Sequence, residues 1–179
     1  KASFLLDSVG SQVLPNWMSL REDPHILGSL GSAYFDGDGV ATRINDFVID
    51  GVVDRYILSN YSARKLGMQT TGNAGGVHNL DIIAPQQSHA QLLKQMHTGL
   101  LVTELMGQGV NAVTGDYSRG ASGFWVENGE ILYPVDELTI AGNLKDMLLN
   151  IVAVGDDLDM RGNIRAPSIL LDAMTIAGQ

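Results

Sequence analysis

This 179-residue chain contains four histidines. Their spacing in the sequence shows whether two of them could bind one metal ion. None stands in H-E-x-x-H or H-x-x-x-H, the spacings that place two imidazoles on one helical face for zinc. On a helix, His89 and His97 would be separated by about 12 Å, too far for one zinc ion to bridge. His25 and His78 stay candidate ligands only if the fold brings further ligands to them; a structural or surface role is the alternative.

A second set of reactive side chains surrounds Ser118, with Asp116 two residues before it and Arg119 directly after it. A serine nucleophile needs a base, and Ser118 has neither the G-x-S-x-G frame nor a histidine nearby. One interpretation is a Gly-flanked loop in which Asp116 and Arg119 pair with each other or with the backbone. The other is a strand edge that lines a cleft. The chain has no cysteine, so a Cys nucleophile and thiolate metal ligands are excluded.

Residues 71–77 form a Gly-rich segment directly before His78. Such a segment can bring backbone N–H groups against a ligand, and it can equally be a plain turn. Neither a Walker lysine nor G-x-G-x-x-G is present. Residues 36–39 and 156–159 resemble calcium loops but lack the EF-hand ligand pattern with its Glu at position twelve, so we interpret their carboxylates as solvated turn residues.

Two β-hairpins are predicted by dipeptides that favour the positive φ angles of a type I′ turn. The first has Asp50-Gly51 between the β-rich runs 43–49 and 52–58. The second has Asn128-Gly129 between residues 124–127 and 130–133. The spacing of the second pairs Trp125 with Leu132 and Val126 with Ile131 across the strands.

Two helices are predicted by their capping residues and apolar spacing. The first opens at Ser88, with Gln91 at capping-box spacing, and ends at Gly99. The second has Asn143 as its N-cap and Asp146 in its first turn. Its apolar stripe has helical periodicity and runs to Val152, with Gly155 beyond its end. The members of that stripe are Leu144, Met147, Leu148, Ile151 and Val152.

The pattern as a whole predicts an α+β fold, with a largely antiparallel or barrel-like sheet and a few packed helices. Further strands are predicted at residues 77–84, 100–105 and 168–176, and a glycine- and aspartate-containing loop at 28–39. No stretch is biased enough to be a linker, and 45% hydrophobic composition suits one core. We therefore expect residues 1–179 to form one domain.

Net charge, the length of apolar runs and the cysteine count indicate which partners and which compartment this chain suits. Eleven basic against 20 acidic residues give a formal charge of −9, which repels a phosphate backbone. No apolar run reaches the roughly 18 residues that span a bilayer, and no leader is visible. The absence of cysteine fits a cytosolic protein. We expect a cytoplasmic protein without nucleic acid or membrane contacts.

The chain resembles the PmbA (TldE-type) branch of the TldD/PmbA metallopeptidase family most closely at residues 103–120. The resemblance continues at residues 4–8, 22–25, 61–67, 71–78, 123–129, 140–147 and 176–179. It covers essentially the whole chain as the C-terminal region of such a protein. Since the chain starts without an initiator Met, we expect an N-terminal part to precede it.

This resemblance implies a cytoplasmic peptidase of two related subunits, in which TldD-type chains hold zinc with an H-E-x-x-x-H helix and a C-terminal Cys. Residues 159–167, where that Cys would stand, contain no thiol. The resemblance therefore implies that this chain is the subunit without zinc, with the ion and the general base in a TldD-type partner. The expected partners are that subunit or a second copy. The alternative function is that of a non-enzymatic regulatory binding protein, such as a modulator of DNA gyrase.

The implied substrates are peptides and unfolded proteins, as in peptide-antibiotic maturation or antitoxin degradation. An extended peptide would be held by hydrogen bonds along an open sheet edge, which requires backbone more than particular side chains. No catalytic residue and no metal ligand are therefore assigned to this chain. The expected cleft-lining residues come from the Gly-rich and polar segments and are Gly75, Gly76, His78, Asp116, Ser118 and Arg119.

Overall fold

The computed structural model describes residues 3–178, and residues 1, 2 and 179 lie outside the described part. The chain divides into two compact units, which we describe separately. Unit 1 contains residues 3–7, 86–157 and 168–178, and unit 2 contains residues 8–85 and 158–167. That residues 1–179 act as one domain stays a prediction.

Three helices and twelve strands are present within residues 3–178, and we number them in chain order. The helices are α1 (Asn60–Leu66), α2 (His89–Met96) and α3 (Leu144–Leu149). The strands of unit 2 are β1 (Ser19–Glu22), β2 (Asn45–Ile49), β3 (Val52–Val53), β4 (Leu80–Ile83) and β10 (Ile164–Arg165). The strands of unit 1 are β5 (Gln86–Gln87), β6 (Gly99–Met106), β7 (Asp116–Glu127), β8 (Glu130–Asn143), β9 (Ile151–Gly155), β11 (Ile169–Leu171) and β12 (Thr175–Ala177).

Unit 2 is built on one five-stranded sheet in the order β10-β4-β1-β2-β3. Every neighbouring pair is antiparallel except β10 and β4, which run parallel. The buried apolar side chains of this unit supply its core; they are Leu14, Met18, Phe47, Val48, Val53, Leu58 and Ala63. The α+β prediction is confirmed, and the sheets are mostly antiparallel and not closed.

The first predicted hairpin is confirmed at its turn, where Asp50 and Gly51 have φ angles of 48° and 81°. Only Val52–Val53 continue as the return strand, so the predicted strand to residue 58 is wrong. After Val53 the chain leaves the ladder, because the N–H groups of Asp54 and Arg55 both donate to the Phe47 carbonyl. β-Propensity alone does not reveal where a ladder ends.

Unit 1 contains a four-stranded antiparallel sheet in the order β12-β8-β7-β6. The second predicted hairpin joins β7 to β8, and its turn residues Asn128 and Gly129 have positive φ as expected. The pairing of Val126 with Ile131 is confirmed. The pairing of Trp125 with Leu132 is wrong, because a register shift after Trp125 places Tyr133 opposite it. A bulge of one residue is not visible in the hydrophobic pattern.

The helix predicted at Ser88 is confirmed as α2, with a complete capping box between Ser88 and Gln91. The helix ends at Met96, and His97 adopts a positive φ of 61° as its C-cap. The predicted end at Gly99 is therefore wrong, since Gly99 is the first residue of β6.

The helix predicted at Asn143 is confirmed at its start, where the Asn143 side chain accepts from the Lys145 N–H. Its predicted extent to Val152 is wrong, because α3 ends at Leu149 and Ile151 begins β9. Strand β9 is the centre of a three-stranded sheet in the order β11-β9-β5, and its Val154 is fully buried. Ile151 and Val152 have helical spacing, but they are β-branched and pair within this sheet, and that pairing determines their conformation.

The remaining strands are found with different bounds. The strand predicted at residues 77–84 is β4, and that at 100–105 is β6. The strand predicted at 168–176 is two strands, β11 and β12, which belong to different sheets. Helix α1 and strand β1 were not predicted. Within residues 3–178, no helix has both the length and the apolar character needed to cross a membrane.

Candidate functional site

In unit 2 the Gly-rich segment 71–77 is fastened to the sheet by a buried carboxylate. Glu22, the last residue of β1, is 1% exposed. Its oxygens accept hydrogen bonds from the Asn45 Nδ2 at 2.8 Å, the Asn73 Nδ2 at 2.8 and 2.9 Å, and the His78 N–H at 2.6 Å. These donors are neutral dipoles. The carboxylate therefore links three chain segments by hydrogen bonds. We name Glu22, Asn45, Asn73 and the His78 N–H the Glu22 cluster.

Gly75 and Gly76 lie at the exposed tip of this segment, with φ angles of 110° and 114°. An added Cβ would meet no atom within 4 Å at either position. Glycine is therefore favoured here by the backbone conformation and not by a close neighbour. That both residues line a cleft stays a prediction.

The imidazole of His78 faces the neighbouring loop, where its Nδ1 lies 3.1 Å from the carbonyl oxygen of Gly31. A carbonyl only accepts, so Nδ1 carries the proton of this hydrogen bond. The Nε2 atom is buried and has no hydrogen-bond partner within the described residues. His78 is therefore tied into the loop on one side and carries an unmatched buried atom on the other. Its role in a cleft stays a prediction.

Asp36 was interpreted as a solvated turn carboxylate, and this is wrong, because its side chain is only 5% exposed. It accepts hydrogen bonds from the N–H groups of Asp38, Val40 and Ala74, each at 2.9 Å. Burial opposes ionisation, but these donors outweigh it and hold the pKa of Asp36 below its ordinary value. Asp36 thus organises two loops and stays charged.

In unit 1 the candidates Asp116, Ser118 and Arg119 lie on β7. Side chains alternate between the faces of a strand, so Asp116 and Ser118 share a face and Arg119 points to the other. Asp116 accepts from the Thr114 hydroxyl at 2.6 Å and from the Asn143 Nδ2 at 3.2 Å. The loop interpretation is wrong because both residues lie in a strand, and Asp116 and Arg119 do not pair with each other. Its expected pairing with backbone is found for Arg119 alone.

Arg119 reaches sideways to the neighbouring strand, where its Nη2 donates to the Leu105 carbonyl at 3.3 Å. Its Nε is buried without a partner within the described residues. Since Leu105 lies on β6, the guanidinium is placed beside the end of that strand. Arg119 is thus the candidate whose side chain hydrogen-bonds to β6.

The connection between β6 and β7 folds back onto β7. The Ser118 N–H donates to the Gly109 carbonyl at 2.7 Å, and Val110 forms an isolated bridge with Tyr117. A Cβ added to Gly109 would lie 1.4 Å from the Ser118 carbonyl oxygen. Only glycine allows this approach of two backbones.

We expect Gly109→Ala to lower the free energy of unfolding by about 2 kcal/mol or more, because the folded-back loop must detach from β7. Urea unfolding followed by circular dichroism measures the change. Gly162→Ala is the control, since a Cβ there meets nothing nearer than 3.9 Å. Equal stability of the two variants would contradict the close approach.

Strand β6 is an edge strand of the unit 1 sheet, because β7 is its only neighbour within the described residues. The end of β6 is exposed from Thr103 to Met106, and it contains no proline. The opposite side of the sheet differs: β12 covers β8 only at residues 139–141, and the rest of that edge contains Pro134 and a positive φ at Glu137. Strand β6 carries one bulge, at Thr103, where its register against β7 shifts. Proline disfavours strand addition and β6 contains none, so its stretch from Glu104 to Met106 is the edge better suited to accept another strand.

Two open cavities lie within the units. One in unit 2 has a volume of about 370 Å³ and is lined by Arg43, Asp54, Arg55, Tyr56, Leu58 and residues 68–71. One in unit 1 has about 630 Å³ and is lined by Asp136, Glu137, Thr139, Ala177 and Gly178. Neither contains any of the predicted cleft-lining residues.

The six predicted site residues are divided between the units: Gly75, Gly76 and His78 in unit 2, and Asp116, Ser118 and Arg119 in unit 1. Within residues 3–178, no group of three or more His, Asp or Glu side chains could hold a metal ion. The described side chains therefore do not fit a zinc site. Prediction missed the Glu22 cluster, whose only signal is a polar residue at an inward strand position.

Comparisons with known proteins agree along the whole chain. A family model described as the PmbA/TldA metallopeptidase C-terminal domain matches residues 1–178. The chain is 59% identical to the metalloprotease PmbA of Escherichia coli O157:H7, over all of this chain and 40% of that protein. It thus spans about 40% of the length of the curated relatives it matches.

Two solved structures are similar in fold. A protein of Bacteroides thetaiotaomicron described as a modulator of DNA gyrase has a TM-score of 0.91 and 31% identity, over 99% of this chain and 40% of that one. TldE of Thermococcus kodakarensis has a TM-score of 0.83 and 27% identity, over 98% of this chain and 43% of that one. The chain belongs to the PmbA/TldD metallopeptidase family and corresponds to its C-terminal domain.

Proposed function

We propose that this chain is the peptide-holding part of a TldD/PmbA-type peptidase, which processes or degrades peptides and unfolded proteins. The observation that carries the proposal is the open edge of β6. A peptide in extended conformation adds to such an edge through main-chain hydrogen bonds. Recognition by backbone suits an enzyme that accepts many sequences, because every peptide offers the same donors and acceptors.

Two features support β6 as the binding edge. Thr103–Met106 are exposed, and the exposed fractions of Leu105 and Met106 are 40% and 41%. These two apolar side chains point to opposite faces of the sheet, so a bound peptide meets an apolar contact on each face. Arg119 adds a positive charge beside the strand end through its hydrogen bond to the Leu105 carbonyl.

The hydrolytic step belongs, in this proposal, to a TldD-type partner subunit that holds zinc and the general base. The absence of a fitting ligand group within residues 3–178 is compatible with this division, and so is the identity to PmbA- and TldE-type proteins. In this proposal Gly75, Gly76 and His78 have no catalytic role.

We expect a mixture of the full-length protein and its TldD-type partner to cleave an unfolded reporter peptide, and neither protein to cleave it alone. A chelator should stop the reaction, and added zinc should restore it, because zinc activates the attacking water. Release of a quenched fluorophore measures cleavage. Metal analysis of each purified protein should find stoichiometric zinc in the partner alone.

The alternative is a regulatory binding protein without peptidase activity, in line with the gyrase-modulator description of a similar structure. If the mixture with zinc cleaves no unfolded peptide, the peptidase proposal is wrong. If this protein alone binds zinc stoichiometrically and cleaves the peptide, the assignment of zinc to the partner is wrong.

A further inference from the structure

Unit 1 carries many acidic side chains that have no basic partner. Within the described part of the chain, unit 1 contains eleven Asp and Glu residues, all of them exposed, and three basic residues, Lys94, Arg119 and Lys145. The ion pairs formed among the described residues all lie in unit 2. Unit 1 therefore has an excess of exposed negative charge that its own described basic residues do not neutralise.

One of these carboxylates, Glu104, lies on the proposed binding edge. Its side chain is exposed and forms no hydrogen bond or ion pair with a described residue. The ladder with β7 is irregular at Thr103 and resumes at Glu104, which is paired with Ser122. Glu104 thus begins the stretch that is better suited to accept a strand, and its charge is available to a ligand.

The ladder determines which side chains share a face with Glu104. Side chains alternate along a strand, so Glu104 and Met106 point to one face and Leu105 points to the other. Leu105 pairs with Ala121, and Arg119 lies two residues before Ala121, so Arg119 shares the face of Leu105. The charged groups beside this stretch are therefore separated, with the carboxylate on the face of Met106 and the guanidinium on the opposite face.

Met106 supplies an apolar contact on the face of Glu104. Its side chain lies over Gly120, the residue paired with it on β7, since a Cβ added to Gly120 would meet the Met106 Cε at 3.6 Å. An unbranched thioether adapts to neighbouring side chains of different shape. This face of the open edge thus presents an apolar contact two residues away from a free carboxylate.

A peptide strand added to β6 meets these two side chains directly. Residues opposite each other in neighbouring strands have Cβ atoms about 4.5–5.5 Å apart, so opposite charges attract and like charges repel. The peptide residue opposite Glu104 is therefore favoured when it is Lys or Arg, and the one opposite Met106 when it is apolar. Because both positions lie on one face, a single extended peptide can satisfy both.

The charge of unit 1 acts in the same direction over a longer range. An excess of exposed carboxylates attracts cationic peptides and repels anionic ones. Salt weakens this attraction, because charges are screened over about 10 Å at 0.1 M ionic strength. Arg119 opposes the attraction only on the face of Leu105. The direct contact with Glu104 and the field of the unit thus both favour a basic peptide over an acidic one.

We propose that the β6 edge selects extended peptides that contain basic and apolar side chains, with Glu104 as the residue that recognises the basic one. This inference rests on the proposed function, which places the peptide on β6. It names the substrate class of that edge: basic and apolar segments of unfolded proteins bind more tightly than acidic segments.

Fluorescence anisotropy with the full-length protein measures this preference. Two labelled peptides have the same apolar residues in the same order and differ at three positions, which are Lys in one peptide and Glu in the other. We expect the Lys peptide to bind about 10-fold or more tightly at about 0.05 M salt. The ratio of the two affinities should fall to about threefold or less at about 0.5 M salt, because salt screens the charges.

Glu104→Gln tests the residue itself. The amide keeps the size of the side chain and removes its charge, so the ratio of the two affinities at low salt should fall by about threefold or more. Glu130→Gln is the matched control, because Glu130 is also an exposed glutamate of the unit 1 sheet but lies on β8 beside the hairpin turn. The control should keep the wild-type ratio. Since both side chains are exposed, thermal unfolding of both variants should match the wild type.

Equal affinity for the two peptides, or tighter binding of the Glu peptide, would overturn the proposed substrate class. An equal fall of the ratio in Glu104→Gln and Glu130→Gln would overturn the role of Glu104. Both results leave strand addition at β6 in place as long as backbone methylation weakens binding of the Lys peptide. If neither peptide binds the full-length protein, the proposed function itself is contradicted.

Discussion

Glu22→Ala is expected to lower the free energy of unfolding of unit 2 by about 3–5 kcal/mol. The substitution removes the acceptor of the His78 N–H and one acceptor of each of the buried Asn45 and Asn73 amides, which keep only backbone carbonyl partners. Each buried donor left without a partner costs about 1–3 kcal/mol. Since domains are stable by only about 5–15 kcal/mol, the Gly-rich segment should detach well below the normal unfolding midpoint.

Urea unfolding followed by tryptophan fluorescence measures this change. Trp17 lies in unit 2 and Trp125 in unit 1, so a Trp125→Phe background restricts the signal to the unit that contains Glu22. Asp54→Ala is the matched control, because it removes an exposed carboxylate whose ion pair with Arg55 is worth at most about 1 kcal/mol. Glu22→Gln keeps the shape and one oxygen and should fall between the two. If Glu22→Ala is as stable as the control, the cluster does not hold the segment.

Backbone methylation of a peptide ligand is expected to weaken its binding to the full-length protein by 10-fold or more. A peptide added to β6 donates the N–H groups of alternate residues to that edge. Three N-methyl groups remove about three hydrogen bonds, each worth about 0.5–1.5 kcal/mol, and tenfold in affinity corresponds to about 1.4 kcal/mol. Fluorescence anisotropy of a labelled peptide measures the loss.

The control for this experiment is a peptide of the same composition in scrambled order, which should bind within about threefold of the original. Backbone recognition predicts this tolerance, because order changes the side chains and leaves the main-chain donors in place. A methylated peptide that binds as well as the parent excludes strand addition at β6. A scrambled peptide that does not bind indicates side-chain pockets in place of an edge.

Local sequence signals predicted the parts of the fold that local chemistry determines. The turn at Asp50-Gly51 and the capping box at Ser88 were found because the positive φ and the cap are properties of a few adjacent residues. The end of α3 was not found, because Ile151 has equally good spacing for a helix. Its choice of a strand depends on β5 and β11, which come from other parts of the chain.

The candidate site shows the same limit. Ser118 and Arg119 could be placed on a strand near an edge, but which edge is open depends on the order of four strands. Glu22 lies in a segment that resembles the family, but its role depends on Asn73, which is 51 residues away. Buried polar networks join distant residues and leave no periodicity in the sequence, so they are found only in three dimensions.

The parallel pairing of β10 with β4 has a consequence for biosynthesis. Strand β4 ends at Ile83, whereas its partner begins at Ile164, so a ribosome must add some eighty residues before the edge of β4 can be covered. Until Arg165 has been synthesised, Asp81 lacks the guanidinium with which it forms an ion pair in the folded protein. Unit 1 fills the interval, because most of its residues are made between those two strands. The completion of unit 2 therefore follows the synthesis of most of unit 1, and a nascent chain that stalls before residue 164 leaves an uncovered strand open to misassembly.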